Sequence, residues 1–217
     1  MFCCCCAQGS AEETAPLSVQ IQHPKKVRVL QKGDKLLLKK VDVGEYDEKF
    51  SEIADLYNRQ VDNHDIMTRS VSELIHISNS KNLSSCIETL KTQYSSYDPQ
   101  IRMEGYNFSL TTQETENLPE ALQESQELVK QLSRAIKLLI STQTKLGGMV
   151  FSVPQDKSEM ENKIKEANTG YLDQIRLVDN LQENIQNIDK AKQLSKEYEE
   201  EATNVLKEIA NIAGVSI

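Results

Sequence analysis

From Tyr46 onward the chain repeats in alternating steps of four and three: Tyr46, Phe50, Ile53, Tyr57, Gln60, His64, Met67, Val71 and Leu74. That spacing lays one stripe along a helix and predicts a helix over 46–78, ended by the Ser/Asn/Lys-rich break at 78–82. Leu83, Ile87, Leu90, Tyr94 and Tyr97 repeat the steps and predict a second helix over 82–98. It stops at Asp98-Pro99, because a residue before proline is pushed out of the helical region. Residues 99–117, with Gly105 and a Thr/Asn/Glu-rich run, read as a loop. Leu118, Leu122, Ser125, Val129, Leu132, Ile136, Leu139, Gln143 and Leu146 then predict a helix over 118–146, started near Pro119 and stopped by Gly147-Gly148. The last periodic stretch predicts a helix over 158–213. Its stripe runs Met160, Ile164, Ala167, Tyr171, Gln174, Val178, Leu181, Ile185, Ile188, then slips to Ala191, Ser195, Tyr198, Ala202, Val205, Ile209 and Ile212. A step of three where four is due is a stammer, which overwinds a supercoil locally.

The first 44 residues follow no such rule. Residues 1–24 mix cysteines with Ser, Ala, Gln, Glu and two prolines, the composition of a disordered tail. Residues 25–44 alternate in part around a Lys32-Gly33-Asp34-Lys35 turn signal and read as a β-hairpin or a basic arm. The expected fold is all-α: an elongated helical bundle or coiled coil over 45–217, behind a Cys-rich tail and a short hairpin. None of these helices can bury its stripe alone, so each must pack on another helix of the chain, on a second copy, or on another helical protein.

Charge divides the chain in the same place. The net charge of −8 is the sum of about +4 on residues 1–40 (seven Lys/Arg, three Asp/Glu) and about −12 on the remainder. An acidic helical body argues against a nucleic-acid partner, since phosphate binding needs clustered Lys/Arg. No stretch approaches the roughly 20 apolar residues of a spanning helix, and the N-terminus lacks the apolar core of a secretory signal. The expected location is cytoplasmic, peripheral on the cytosolic face of a membrane.

The feature behind that expectation is Cys3-Cys4-Cys5-Cys6 directly after Met1-Phe2. Contiguous cysteines at a cytosolic N-terminus suit S-acylation, in which two or more chains give durable anchoring at about 0.8 kcal/mol per buried CH₂. The arrangement resembles the acylated N-termini of neuronal growth-cone and postsynaptic scaffold proteins, which open with Met, one residue, then cysteines. Phe at position 2 excludes N-myristoylation, which requires Gly there. A zinc site would want a second ligand pair, and a disulfide framework would want an oxidising compartment. The alternative is an inert tail. Lys25, Lys26, Arg28, Lys32, Lys35, Lys39 and Lys40 add a basic stretch that an anionic leaflet would attract, each by about 1 kcal/mol near the surface. The competing reading of these lysines is a solvated edge that protects the hairpin from aggregation.

Catalytic material is sparse. His23, His64 and His76 share no ligand spacing, Cys86 sits beside Ile87 on an apolar face, and Gly147-Gly148 lacks the pattern of a phosphate-binding loop. No catalytic residue, metal, cofactor or small-molecule substrate is expected. Gln60, His64, Gln143 and Gln174 occupy stripe positions, where a polar side chain fixes register at some cost in stability. Gln174 between apolar layers is similar to the central glutamine layer of SNARE helices, although Pro154 and Gly147-Gly148 interrupt the layers upstream. The expected function is a non-enzymatic, membrane-associated helical scaffold or tether that binds partners through its heptad seams. The alternatives are an unanchored structural subunit of a cytoskeletal or trafficking complex, and a SNARE-like fusion component.

Overall fold

A first helix, α1 (Gly44–Ile77), forms over the stripe from Tyr46 to Leu74, with Glu45 and Asp47 in its first turn facing the positive end of the helix dipole. The computed structural model describes residues 30–113, 116–167 and 170–216. Within them the chain is mostly helical. After α1 come α2 (Leu83–Gln93), a single 3₁₀ turn, a two-stranded antiparallel hairpin of β1 (Gln100–Glu104) and β2 (Asn107–Thr111), then α3 (Glu120–Phe151), α4 (Lys157–Glu166) and α5 (Tyr171–Ala213). Asn82 caps α2 by accepting from the Ser85 amide at 2.8 Å, while Ser85 Oγ lies 3.2 Å from the Asn82 amide and closes a capping box.

The core is where α1, α3 and α5 face one another. Lys49 reaches Ser152 and Gln60 reaches the Leu139 carbonyl, so numbers rise along α1 as they fall along α3 and the two helices are antiparallel. Gln60 also donates to the Ser195 carbonyl and His64 meets Glu201, so α1 and α5 run parallel. Phe50, Ile53, Tyr57 and Leu74 of α1, Leu122, Leu132, Ile136 and Leu139 of α3, and Leu181, Ile188, Tyr198 and Ile209 of α5 are all within 2% of fully buried. The stripes close on each other within one chain. The stripe residues expected to form seams are thus buried against one another within this chain.

Several expected boundaries move. The segment read as a loop, 99–117, contains the hairpin, in which Ile101 pairs with Leu110 and Met103 with Phe108. Gly105, at φ 57°, supplies the left-handed residue that a two-residue turn wants, and β2 docks on α3 where the Phe108 amide donates to Ser133 Oγ at 2.9 Å. The second helix ends at Gln93 rather than 98. Gly147-Gly148 does not stop α3, which continues to Phe151 because Leu146 and Val150 on either side are buried; packing offsets the roughly 1 kcal/mol that each glycine costs a helix. The expected 158–213 helix is two helices, separated between Glu166 and Tyr171. The stammer also disappears. From Leu177 to Ala202 the buried positions Leu177, Leu181, Asn184, Ile188, Ala191, Ser195, Tyr198 and Ala202 alternate by four and three, with Leu194 buried beside Ser195, and Leu206, Ile209 and Ala210 extend the buried face to the helix end. Asn184, fully buried, holds the step that the apolar pattern assigns to Ile185.

Candidate functional site

Of the segment 25–44, expected as a basic arm or β-hairpin, residues 25–29 lie outside the described residues, and the described part forms no strand pairing. Residues 30–43 make one turn at Lys32-Gly33, with Gly33 at φ 86° and the Asp34 amide donating to the Gln31 carbonyl at 3.0 Å. They then run extended, without strand pairing, into α1. An extended chain with no ladder must satisfy its amides elsewhere. Here helix side chains do it. The Leu36 amide donates to Asn58 Oδ1 at 2.7 Å while Asn58 Nδ2 donates to the Leu36 carbonyl at 3.1 Å. Asn184 grips Lys39 the same way, accepting from its amide at 2.8 Å and donating to its carbonyl at 2.7 Å. Asn180, one turn earlier on α5, donates to the Lys40 carbonyl at 2.9 Å. The Val41 amide goes to Asp47 at 2.8 Å, and the Gly33 amide to the Tyr198 hydroxyl at 2.8 Å.

Order along these contacts fixes the direction of the segment. Residues 33, 39 and 40 meet α5 at 198, 184 and 180, and residues 36 and 41 meet α1 at 58 and 47, so the segment is a strap running antiparallel to both helices along their shared groove. Leu30, Leu36 and Val41 point inward and are buried at 7%, 1% and 0% exposure, whereas Leu37 points out at 82%.

The strap's lysines face the groove's acidic rim. Lys32 pairs with Glu201, Lys35 with Asp62, and Lys39 with Glu183 at 2.5 Å. Of the basic residues expected to meet a membrane, these three are engaged by the body, Lys40 is exposed, and Lys25, Lys26 and Arg28 lie outside the described residues. So do Cys3, Cys4, Cys5 and Cys6 and the tail expected to be disordered.

Beneath the turn, Glu201 also meets His64 Nε2 at 2.8 Å, and the His64 ring lies against Tyr198 with centroids 4.4 Å apart. Partial burial alone would raise the Glu201 carboxyl; hydrogen bonds from Lys32 and His64 outweigh it and hold the group below the usual carboxylate range. Burial, then the neighbouring Tyr198 phenol, pushes Tyr57 well above an ordinary tyrosine.

The other polar stripe positions separate into different roles. Gln60, fully buried, donates to carbonyls of both α3 and α5, at 3.3 and 3.2 Å, and so ties the three long helices at one level. Gln143 is half-buried. Gln174 lies at the start of α5 and donates to the Lys165 carbonyl at 3.1 Å, bridging the gap between α4 and α5 rather than forming a layer among the long helices. Cys86 is fully buried, its thiol donating to the Leu74 carbonyl at 3.2 Å, and burial pushes that thiol up, away from the reactive thiolate. Among the described residues no three His, Cys, Asp or Glu side chains cluster to hold a metal ion, and no helix is long and apolar enough to cross a membrane.

The residues that sequence reasoning missed are Asn58, Asn180 and Asn184. The available signal was Asn184 itself, whose position fits the four-three spacing that the apolar Ile185 breaks. Compared with family models, curated proteins and solved structures, the chain gives no match.

Proposed function

We propose that the protein is a non-enzymatic, membrane-associated helical scaffold or tether, anchored by S-acylation at Cys3, Cys4, Cys5 and Cys6, with a body of coiled-coil type that meets protein partners. The contiguous cysteines carry this reading, and the four-three spacing of buried positions in α5 supports the coiled-coil description. Because the stripes are consumed internally, the partner face is assigned to exposed apolar side chains. Phe151 at the end of α3 and Tyr171, Leu172 and Ile175 at the start of α5 are exposed at 66%, 76%, 80% and 44%.

A second reading, an unanchored structural subunit, is favoured by one observation: Lys32, Lys35 and Lys39 are paired with the body's own carboxylates and so are less available to an anionic leaflet. Acyl labelling in cells separates the two. The anchored scaffold predicts hydroxylamine-sensitive label on the wild-type chain and a shift from membrane pellet to soluble fraction when all four cysteines become Ser. An unlabelled wild-type chain, or a quadruple variant that stays in the pellet, removes acylation as the anchor.

A further inference from the structure

The strap is held as a bound peptide is held. Two asparagines each take both the N–H and the C=O of one strap residue, a pattern that reads main chain and tolerates many side chains, as in other recognition of extended peptides. Asn184 is fully buried, and both partners of its amide are strap main-chain atoms. Emptied, the groove would leave that amide without them. The rim adds charge complementarity through Asp62, Glu183 and Glu201. A cleft of about 360 Å³ lies between the strap and α5, lined by Leu30, Lys35, Leu36 and Leu37 on the strap and by Glu183 and Asn187 on α5.

We propose that the groove between α1 and α5 is a binding site for an extended, lysine-bearing segment of another protein, and that residues 30–42 fill it in cis as the chain's own pseudo-ligand. The strap defines the sequence the site accepts. Numbered from Lys32, the segment carries lysine at positions one, four and eight, glycine at two, and apolar residues at five and ten, corresponding to Lys32, Lys35, Lys39, Gly33, Leu36 and Val41. Gly33 is required because its left-handed backbone turns its amide onto the Tyr198 hydroxyl. The cis strap is joined directly to α1 and so competes at an effective concentration on the order of millimolar or above. A partner segment therefore enters when the strap is withdrawn. This inference stands apart from the acylation reading, since it concerns described residues only.

The test uses a fluorescent peptide of residues 30–42 and full-length protein, with binding read by anisotropy. Two variants expel the strap by different means: Lys32→Glu with Lys35→Glu and Lys39→Glu sets like charges against the rim, and Leu36→Asp puts a charge into the groove. Each is expected to bind the peptide about tenfold or more tighter than the wild-type chain, whose own strap blocks the site. Adding Asn58→Ala with Asn184→Ala to the charge-reversed chain is expected to abolish binding, and a peptide carrying Leu36→Asp is expected not to bind. The proposal is overturned if an expelled variant with a cooperative melt does not bind, or if the asparagine changes leave binding intact. It is equally overturned if neither variant keeps a cooperative melt, since the strap would then be inseparable from the core.

Discussion

Glu201 shows how one side chain can join three segments. It accepts from Lys32 of the strap and from His64 of α1 while standing on α5. Because these hydrogen bonds depress its folded-state pKa, Glu201 contributes stability that is fully present above the ordinary carboxylate range and is lost as pH falls through the folded value. Glu201→Gln should therefore melt below the wild type at neutral pH, and the difference should close only in acid, as pH falls below the ordinary carboxylate range and through the lowered folded value of Glu201. Paired thermal melts at neutral and acid pH check this; a deficit that persists in acid would mean that packing, not charge, holds the contact. Gln60 plays a different part at the same scale. Its Nε2 is satisfied by two carbonyls, but Oε1 is buried with no hydrogen-bond partner among the described residues, so it sets register at a cost in stability.

Among the elements, the strap depends more on asparagine than on lysine. Truncating Asn184 leaves the Lys39 amide and carbonyl without their partners, each an unmet polar group costing about 1–3 kcal/mol if it stays buried, whereas Lys39 and Glu183 form a partly exposed ion pair of about 0–1 kcal/mol. Urea titration should accordingly find Asn184→Ala destabilised by about 2 kcal/mol and Lys39→Ala by less than about 1 kcal/mol. Comparable losses from the two would shift the grip to the ion pairs. The contrast also explains which elements could be read in advance. Periodicity identified α1 and α3 because apolar residues hold most of their buried stripe positions and no break interrupts either stripe. It misplaced the strap, because main-chain recognition by helix asparagines leaves no trace in apolar spacing. It missed the hairpin because only Ile101, Met103, Phe108 and Leu110 alternate there, around a single Gly105, in otherwise polar surroundings. It joined α4 to α5 because Ala167 and Tyr171 continue the four-step across a break whose marker is Gly170, and the structure leaves Tyr171 76% exposed.

At the level of the whole molecule, three long helices close their stripes on one another and the strap covers the groove that α1 and α5 leave between them. Ile136 and Leu139 are fully buried in that closure, and Lys130 and Lys137 are exposed on the other face of α3. Ile136→Ala with Leu139→Ala should cost about 2–5 kcal/mol per site and lower the melting temperature sharply, while Lys130→Ala with Lys137→Ala should stay within about 0.5 kcal/mol per site. Equal melting temperatures for the two double variants would contradict the closure. The role proposed for the groove, as gated receptor for a basic segment, depends on the strap being part of this body rather than a free arm. Amide hydrogen exchange on the full chain tests that most directly. The account predicts that the amides of Gly33, Leu36, Lys39 and Val41, donated to Tyr198, Asn58, Asn184 and Asp47, exchange on the timescale of the surrounding helices. Exchange of those four amides at the rate of an unstructured chain, with α1 and α5 still protected, would contradict it.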